Sequence, residues 1–114
     1  MLKLNKLDRV EAIKKDFKLY QKVFLALGDE NRQSIITVLM ETTCIKGMRV
    51  GEIAEKTHLS RPAVSHHLKI LREAEIIMMR QEGSKNYYFI DLRTKLGDMK
   101  NMFGRIDELL QLHY

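Results

Sequence analysis

Residues 50–71 decide the fold: Val50-Gly51-Glu52-Ile53-Ala54-Glu55-Lys56-Thr57-His58-Leu59-Ser60-Arg61-Pro62-Ala63-Val64-Ser65-His66-His67-Leu68-Lys69-Ile70-Leu71. Two helical patterns are joined here by a tight turn. The first, from about Val50 to Lys56, buries Ile53 and Ala54. The second buries Val64, Leu68 and Leu71, with Ile70 flanking. Ser60 stands where an N-cap belongs, and Pro62 falls in the first turn, where a missing N–H costs little. Small Ala54 lets the helices cross closely, and Leu59 and Val64 fill the angle between them. One face of the second helix is left exposed, and such a face fits a major groove about 12 Å wide. The expected contact set on this helix is Ser60, Arg61, Ala63, Ser65, His66 and Lys69. Arg61 is suited to bidentate bonding with guanine, Ser65 to a base or a phosphate, and Lys69 to a phosphate.

Upstream, Leu7, Val10, Ile13, Phe17, Tyr20, Phe24 and Leu27 recur at spacings of three and four, the stripe of one long helix. Lys14, Lys15, Lys18 and Lys22 lie off that stripe. Gly28 is expected to end this helix and Asp29 to cap the next, which carries Ile35, Ile36, Val38, Leu39 and Met40. Thr42 to Met48 reads as a connection broken by Gly47. Downstream, Ile76–Arg80 and Asn86–Ile90 are β-rich runs around a polar tip, Gln81 to Lys85, which predicts a hairpin. Leu92, Leu96, Met99, Phe103, Ile106 and Leu110 then mark a last amphipathic helix.

The order is α-α-α-α-β-β-α: mainly helical, one domain over 1–114, with a β-hairpin wing. The expected parts are terminal helices over about 1–28 and 92–114, a helix-turn-helix over about 50–74 and a wing over about 76–90. Both terminal helices carry apolar seams of near coiled-coil period, and so small a domain has little core to cover them. Pairing of two chains through Val10, Ile13, Phe17, Tyr20 and Phe24 with Met99, Phe103, Ile106 and Leu110 is the expected way to bury them.

The net charge of +5 and pI near 9.4 favour a polyanionic partner. The surplus is local. Residues 1–22 hold seven Lys/Arg against three Asp/Glu, and residues 44–93 hold nine against six. A single cysteine, Cys44, cannot form an internal disulfide and fits a reducing cytoplasm. No apolar run approaches the ~20 residues of a membrane span, and the N-terminus alternates Leu and Lys without a signal-peptide core. The expected location is cytoplasmic.

Three stretches strongly resemble the ArsR family of winged-helix repressors: Leu27-Gly28-Asp29-Glu30-Asn31-Arg32, Leu59 to Leu68 with Leu71-Arg72-Glu73-Ala74, and Arg80 to Tyr88. The likeness runs from about Val23 to Leu92, and the flanking helices match the family's dimerising helices in position. It implies a homodimer that binds an inverted-repeat operator in double-stranded DNA, with the hairpin set against the backbone or minor groove. Arg80, Lys85 and Asn86 are the wing residues it implies. In one departure, Glu75 stands where the family usually places Gly after the recognition helix. Either Glu75 takes a left-handed conformation at a cost of about 1 kcal/mol or the helix ends differently.

The resemblance also raises metal sensing. The family's soft-metal site uses a Cys pair near the first helix of the helix-turn-helix, and Arg49 to Ile53 contains none. Its zinc-type site lies on the last helix. Here Asp91 is followed by Arg93 two residues on, with Gly104 and Asp107 near the later positions, so the ligand set is broken by a cation. No metal or other cofactor is expected. Of the histidines, His66 is expected to touch DNA, His67 to pack or stay exposed, and His58 to be solvated; His113 has no ligand partner at metal spacing. No Gly-rich phosphate loop or catalytic constellation is present, and the adjacent Ser65 and His66 diverge by about 100° on a helix. The expectation is therefore not an enzyme. Two rival readings are a winged-helix adaptor for protein–protein contact and a sensor whose seven methionines line an apolar ligand site.

Overall fold

The computed structural model describes residues 5–91 and 93–113, the last without its side chain. Leu92, expected at the head of the last helix, lies outside the described residues. The elements are α1 (Lys6–Leu19), α2 (Gln21–Leu27), α3 (Glu30–Leu39), α4 (Val50–Thr57), α5 (Arg61–Glu73), β1 (Met78–Glu82), β2 (Lys85–Phe89) and α6 (Lys95–His113).

The first helix differs from expectation, because the single long stripe is broken at Tyr20, where φ is −102° and ψ 15°. Tyr20 itself is buried, and its N–H bonds back to the carbonyls of Asp16 and Lys18. The break lets α2 turn onto the core with Val23 and Ala26 while α1 continues along α6. Gly28 ends α2 without using a left-handed conformation, since its φ is −76°. The orphan carbonyls of that helix end are instead met by side chains. Arg32 Nε donates to Ala26 O at 2.8 Å, and Gln33 Nε2 to Leu27 O at 2.7 Å. Asp29 caps α3 as expected, accepting from the Arg32 N–H at 3.0 Å.

One core joins α2, α3, α4, α5 and the first residues after α5. Ile35, Leu39, Ile53, Val64, Leu68 and Leu71 are fully buried in it. Ile76 and Ile77 belong to this core and not to a strand, so the first strand begins two residues later than the composition suggested. The hairpin turn is correspondingly tight. Glu82 pairs with Lys85, leaving only Gly83 and Ser84 between the strands. Gly83 has φ +62°, the positive value that a two-residue hairpin turn demands at its first central position.

Gly47 has a firmer reason to be glycine. Its φ is +68°, and a methyl group there would sit 2.9 Å from Tyr87 Cβ. This close approach brings Met48 alongside β2, where Met48 and Tyr88 exchange two backbone bonds of 2.8 and 2.7 Å. The connection after α3 is thereby tied to the hairpin.

Glu75 takes the left-handed conformation, with φ 58°. The end of α5 closes in a Schellman pattern, with Ile76 N–H on Leu71 O at 3.0 Å and Glu75 N–H on Arg72 O at 2.9 Å. Lys95, the first residue of α6, holds Glu75 twice. Its N–H donates to the Glu75 carbonyl at 3.0 Å, and its ammonium lies 2.9 Å from the carboxylate.

α1 and α6 pack along each other. Arg105 grips the buried Asp16 with two bonds of 2.7 and 2.8 Å. The chain is elongated, 53 × 26 × 20 Å, with a radius of gyration of 17.3 Å where a compact domain of this length has about 13 Å.

Candidate nucleic-acid interface

The turn between α4 and α5 is made by His58, Leu59 and Ser60. His58 ends α4 in the left-handed region at φ 60°, a conformation histidine tolerates better than most residues. Ser60 then starts α5 by accepting from the Ala63 N–H at 3.3 Å. With Val64, Leu68 and Leu71 turned inward, Arg61, Ser65, Lys69 and Arg72 run down the flank of α5 beside that buried stripe, and all are exposed. Pro62 and His66 flank this row and are exposed as well. Ser60 lies at the mouth of the helix, and Ala63 is half-buried at the edge of the face. Arg72 was missed at the sequence level, although it lies seven residues after Ser65, two turns along the same side.

His67 is not part of that face. Arg32 Nη1 lies 3.2 Å from His67 Nδ1. A guanidinium only donates, so Nδ1 accepts and the neutral ring carries its proton on Nε2. Burial pushes the His67 pKa below its ordinary 6.5; nearby Asp29 opposes this, while Arg32 and His66 add to it. The same arginine reaches the end of α2, so one side chain joins α2, α3 and the recognition helix. The Leu27-to-Arg32 segment thus acts as a clasp behind α5.

The wing residues separate into two kinds. Lys85 is exposed beside the turn and Asn86 is half-buried on β2. Arg80 is half-buried and already committed to partners within the protein. Its guanidinium donates to the Cys44 carbonyl at 2.8 Å, the Lys46 carbonyl at 3.2 Å and the Glu82 carboxylate at 2.8 Å. It also lies 5.3 Å from the Tyr87 ring centre. It braces the hairpin against the connection before α4, and a base or phosphate would have to displace those bonds.

A cleft of about 520 Å³ opens between the start of α4, the start of α5 and the wing turn, lined by Arg49, Gly51, Glu52, Arg61, Ser84 and Asn86 among others. Arg61 leans into it: a methyl group on Gly51 would stand 2.9 Å from Arg61 Nη2 and 3.3 Å from Cζ. Nothing in the sequence pattern signalled Arg49, Gly51 or Ser84.

The pairing residues also divide. Ile13, Tyr20 and Met99 are buried within the protomer, and Val10, Phe24 and Ile106 are half-buried. Phe17, Phe103 and Leu110 are 49, 54 and 49% exposed. Phe17 stacks on Phe24 with ring centres 5.5 Å apart.

At the first position of the family's zinc-type set, Asp91 precedes α6 and is engaged by Arg93, whose Nη2 and backbone N–H donate at 2.6 and 2.7 Å. Those bonds hold the Asp91 pKa below its ordinary 3.8. Among the described residues, no group of three or more His, Cys, Asp or Glu side chains is placed to hold a metal ion. No helix is long and apolar enough to cross a membrane among those residues.

A capped recognition helix beside a braced hairpin defines a winged helix-turn-helix DNA-binding protein. Residues 29–78 match the profile described as bacterial regulatory protein, arsR family. The chain is 36% identical over 90 residues to the transcriptional repressor SdpR of Bacillus subtilis, covering 75% of this chain and 93% of that protein. It is 34% identical over 90 residues to a cadmium resistance transcriptional regulatory protein CadC homolog of Staphylococcus aureus, covering 74% and 71%. Among solved structures, an ArsR-like transcriptional regulator of Rhodococcus superposes with a TM-score of 0.75 at 23% identity over 85% of this chain and 84% of that one. The homodimeric winged helix-turn-helix DNA-binding domain of a Mycobacterium bovis protein superposes with a TM-score of 0.61 at 24% identity, over 100% and 97%. The chain belongs to the ArsR family of DNA-binding transcriptional regulators.

Proposed function

We propose that this regulator is a repressor that binds an inverted-repeat operator as a homodimer. The observation that carries the reading is the exposed, net basic row Arg61, Ser65, Lys69 and Arg72 beside the stripe that locks the same helix into the core. In this reading Ser65 and His66 would meet base edges, while Lys69, Arg72 and Lys85 would meet phosphates. Arg80 is left out of this set because its donors already hold the wing. The surface is polar and basic, whereas a protein adaptor would favour an apolar or acidic one. The protein acts by binding and not by catalysis.

Dimerisation is supported by shape. The chain exposes 8096 Å², where a folded monomer of 13.4 kDa exposes roughly 6,500 Å². Phe17, Phe103 and Leu110 supply apolar surface on the terminal helices for a second copy to cover. A two-fold dimer would set its recognition helices about one helical turn apart, ~34–36 Å. The signal that releases DNA is proposed to be other than a metal at the Asp91 position, which Arg93 occupies with its own charge.

The test is selection of duplexes from a random pool by the full chain, followed by titration against selected and scrambled sequences. A symmetric motif with half-sites one turn apart, bound far more tightly than scrambled DNA, is the expected result. Equal affinity for both would overturn the operator reading. Stoichiometric zinc surviving dialysis and lost in Asp91→Ala would overturn the metal-independent one.

A further inference from the structure

The cleft between α4, α5 and the wing has a lining that the helix-turn-helix alone does not explain. Arg49 and Arg61 line it together with Ser84 and Asn86, and the Arg61 guanidinium lies over Gly51. Among the described residues, neither arginine is paired with a carboxylate within 4.0 Å, although Glu52 and Glu55 also line the cleft. Arg61 does not extend outward with Ser65 and Lys69. It lies back across the one position of α4 that has no side chain, Gly51.

If α5 occupies a major groove and the hairpin reaches the adjoining minor groove, the strand that separates those grooves must cross whatever lies between helix and hairpin. What lies between them is this cleft. The geometry points to a phosphate clamp: Arg49 and Arg61, with Ser84 and Asn86 as neutral donors, hold a backbone phosphate of the strand passing from α5 to the wing. Arg61 is thus a sequence-independent anchor and not the guanine reader that its place at the head of the recognition helix suggested. Gly51 is the residue that keeps its seat open. Glu52 and Glu55 offset the two arginines, so the cleft suits a phosphodiester delivered by neighbouring contacts and not a free anion. This inference rests on the DNA-binding reading above.

Gly51→Ala separates the clamp from fold stability. Alanine is the better helix former, so the melting temperature is expected to hold or rise. The added methyl meets Arg61, so DNA affinity is expected to fall. For Arg61→Ala, each lost phosphate contact lowers the salt slope of log K by about 0.9, on the order of fivefold in affinity at 0.15 M salt. The loss should be equal for the selected operator and for every single-base variant of it. Gly51→Ala should reproduce that loss, and Arg61→Lys should restore part of it.

A different pattern overturns the clamp while leaving the operator reading intact: wild-type protein binds its operator specifically, but Arg61→Ala relaxes one base position with the salt slope unchanged. Failure of wild-type protein to discriminate any duplex removes both. Inorganic phosphate, titrated at constant ionic strength, is expected to leave the melting temperature unchanged. Saturable stabilisation that disappears in Arg61→Ala would make the cleft a free-anion site and overturn the assignment to DNA.

Discussion

Glu75 carries the backbone at φ 58°, where a side chain costs about 1 kcal/mol relative to glycine. The cost is accepted because the Schellman closure of α5 needs that turn, and Lys95 then binds both the carbonyl and the carboxylate. The ion pair is partly exposed and worth at most about 1 kcal/mol, close to the strain it offsets. Glu75→Gly is therefore expected to stay within about 1 kcal/mol of wild type in denaturant unfolding. Glu75→Val, β-branched and without the pair, should lose roughly 1–3 kcal/mol; an unchanged midpoint would refute the strain. His67 makes the second residue-scale prediction. Its pKa is depressed in the fold by burial, so between the folded value and 6.5 the unfolded chain binds more protons. Stability is thus complete above about pH 6.5 and falls as acid protonates the ring and costs it the Arg32 bond. His67→Gln keeps an acceptor for Arg32 without titrating, and its stability should decline less between pH 7 and pH 5. Identical pH profiles for the two proteins would place the proton uptake elsewhere. Asp29 adds only at lower pH, below its ordinary 3.8, because its folded pKa is lowered by the Arg32 N–H bond.

At the scale of elements, the wing is held by three devices. Gly47 permits the close approach, Met48 pairs with Tyr88, and Arg80 ties the strand to the Cys44 and Lys46 carbonyls. A two-stranded hairpin alone is marginal in water. Arg80→Ala should cost about 1–2 kcal/mol, two charged hydrogen bonds discounted for a side chain that is 31% exposed. Amide exchange in β1 and β2 should accelerate with it, while α4 and α5 stay protected. Acceleration in α5 as well would mean that wing and recognition helix unfold together. The helix-turn-helix, both caps of α3 and α5 and the inward faces were all legible in sequence, because they depend on spacings of three and four and on local bonds. The break at Tyr20 and the start of β1 were not. Tyr20 continues the apolar stripe without fault, and Ile76 and Ile77 have strong β character, yet both sites are set by where the core lies.

For the whole molecule, α1 and α6 pack along each other and both leave large apolar side chains exposed. α6 buries Met102 and Leu109 and turns Phe103 and Leu110 outward. Phe103→Glu combined with Leu110→Glu should give a monomer by analytical ultracentrifugation with its helical circular dichroism retained. Operator affinity should drop steeply, because two half-sites no longer bind as one unit. A dimer that persisted in this variant would place the interface elsewhere.

The amino-acid sequence by itself determined the class of protein. Capping residues, helical periodicity and a hairpin signal are short-range features that fix the elements and their order, and the three stretches that resemble the ArsR family make that order a winged helix-turn-helix. Tertiary structure decided where each charged side chain lies and what it is bonded to. Arg80 and Arg61 look alike in sequence as basic residues beside DNA. One is spent on the carbonyls of Cys44 and Lys46, and the other lies across Gly51. A guanidinium has reach enough to serve either end, and only the atoms brought within about 3 Å of it choose between them.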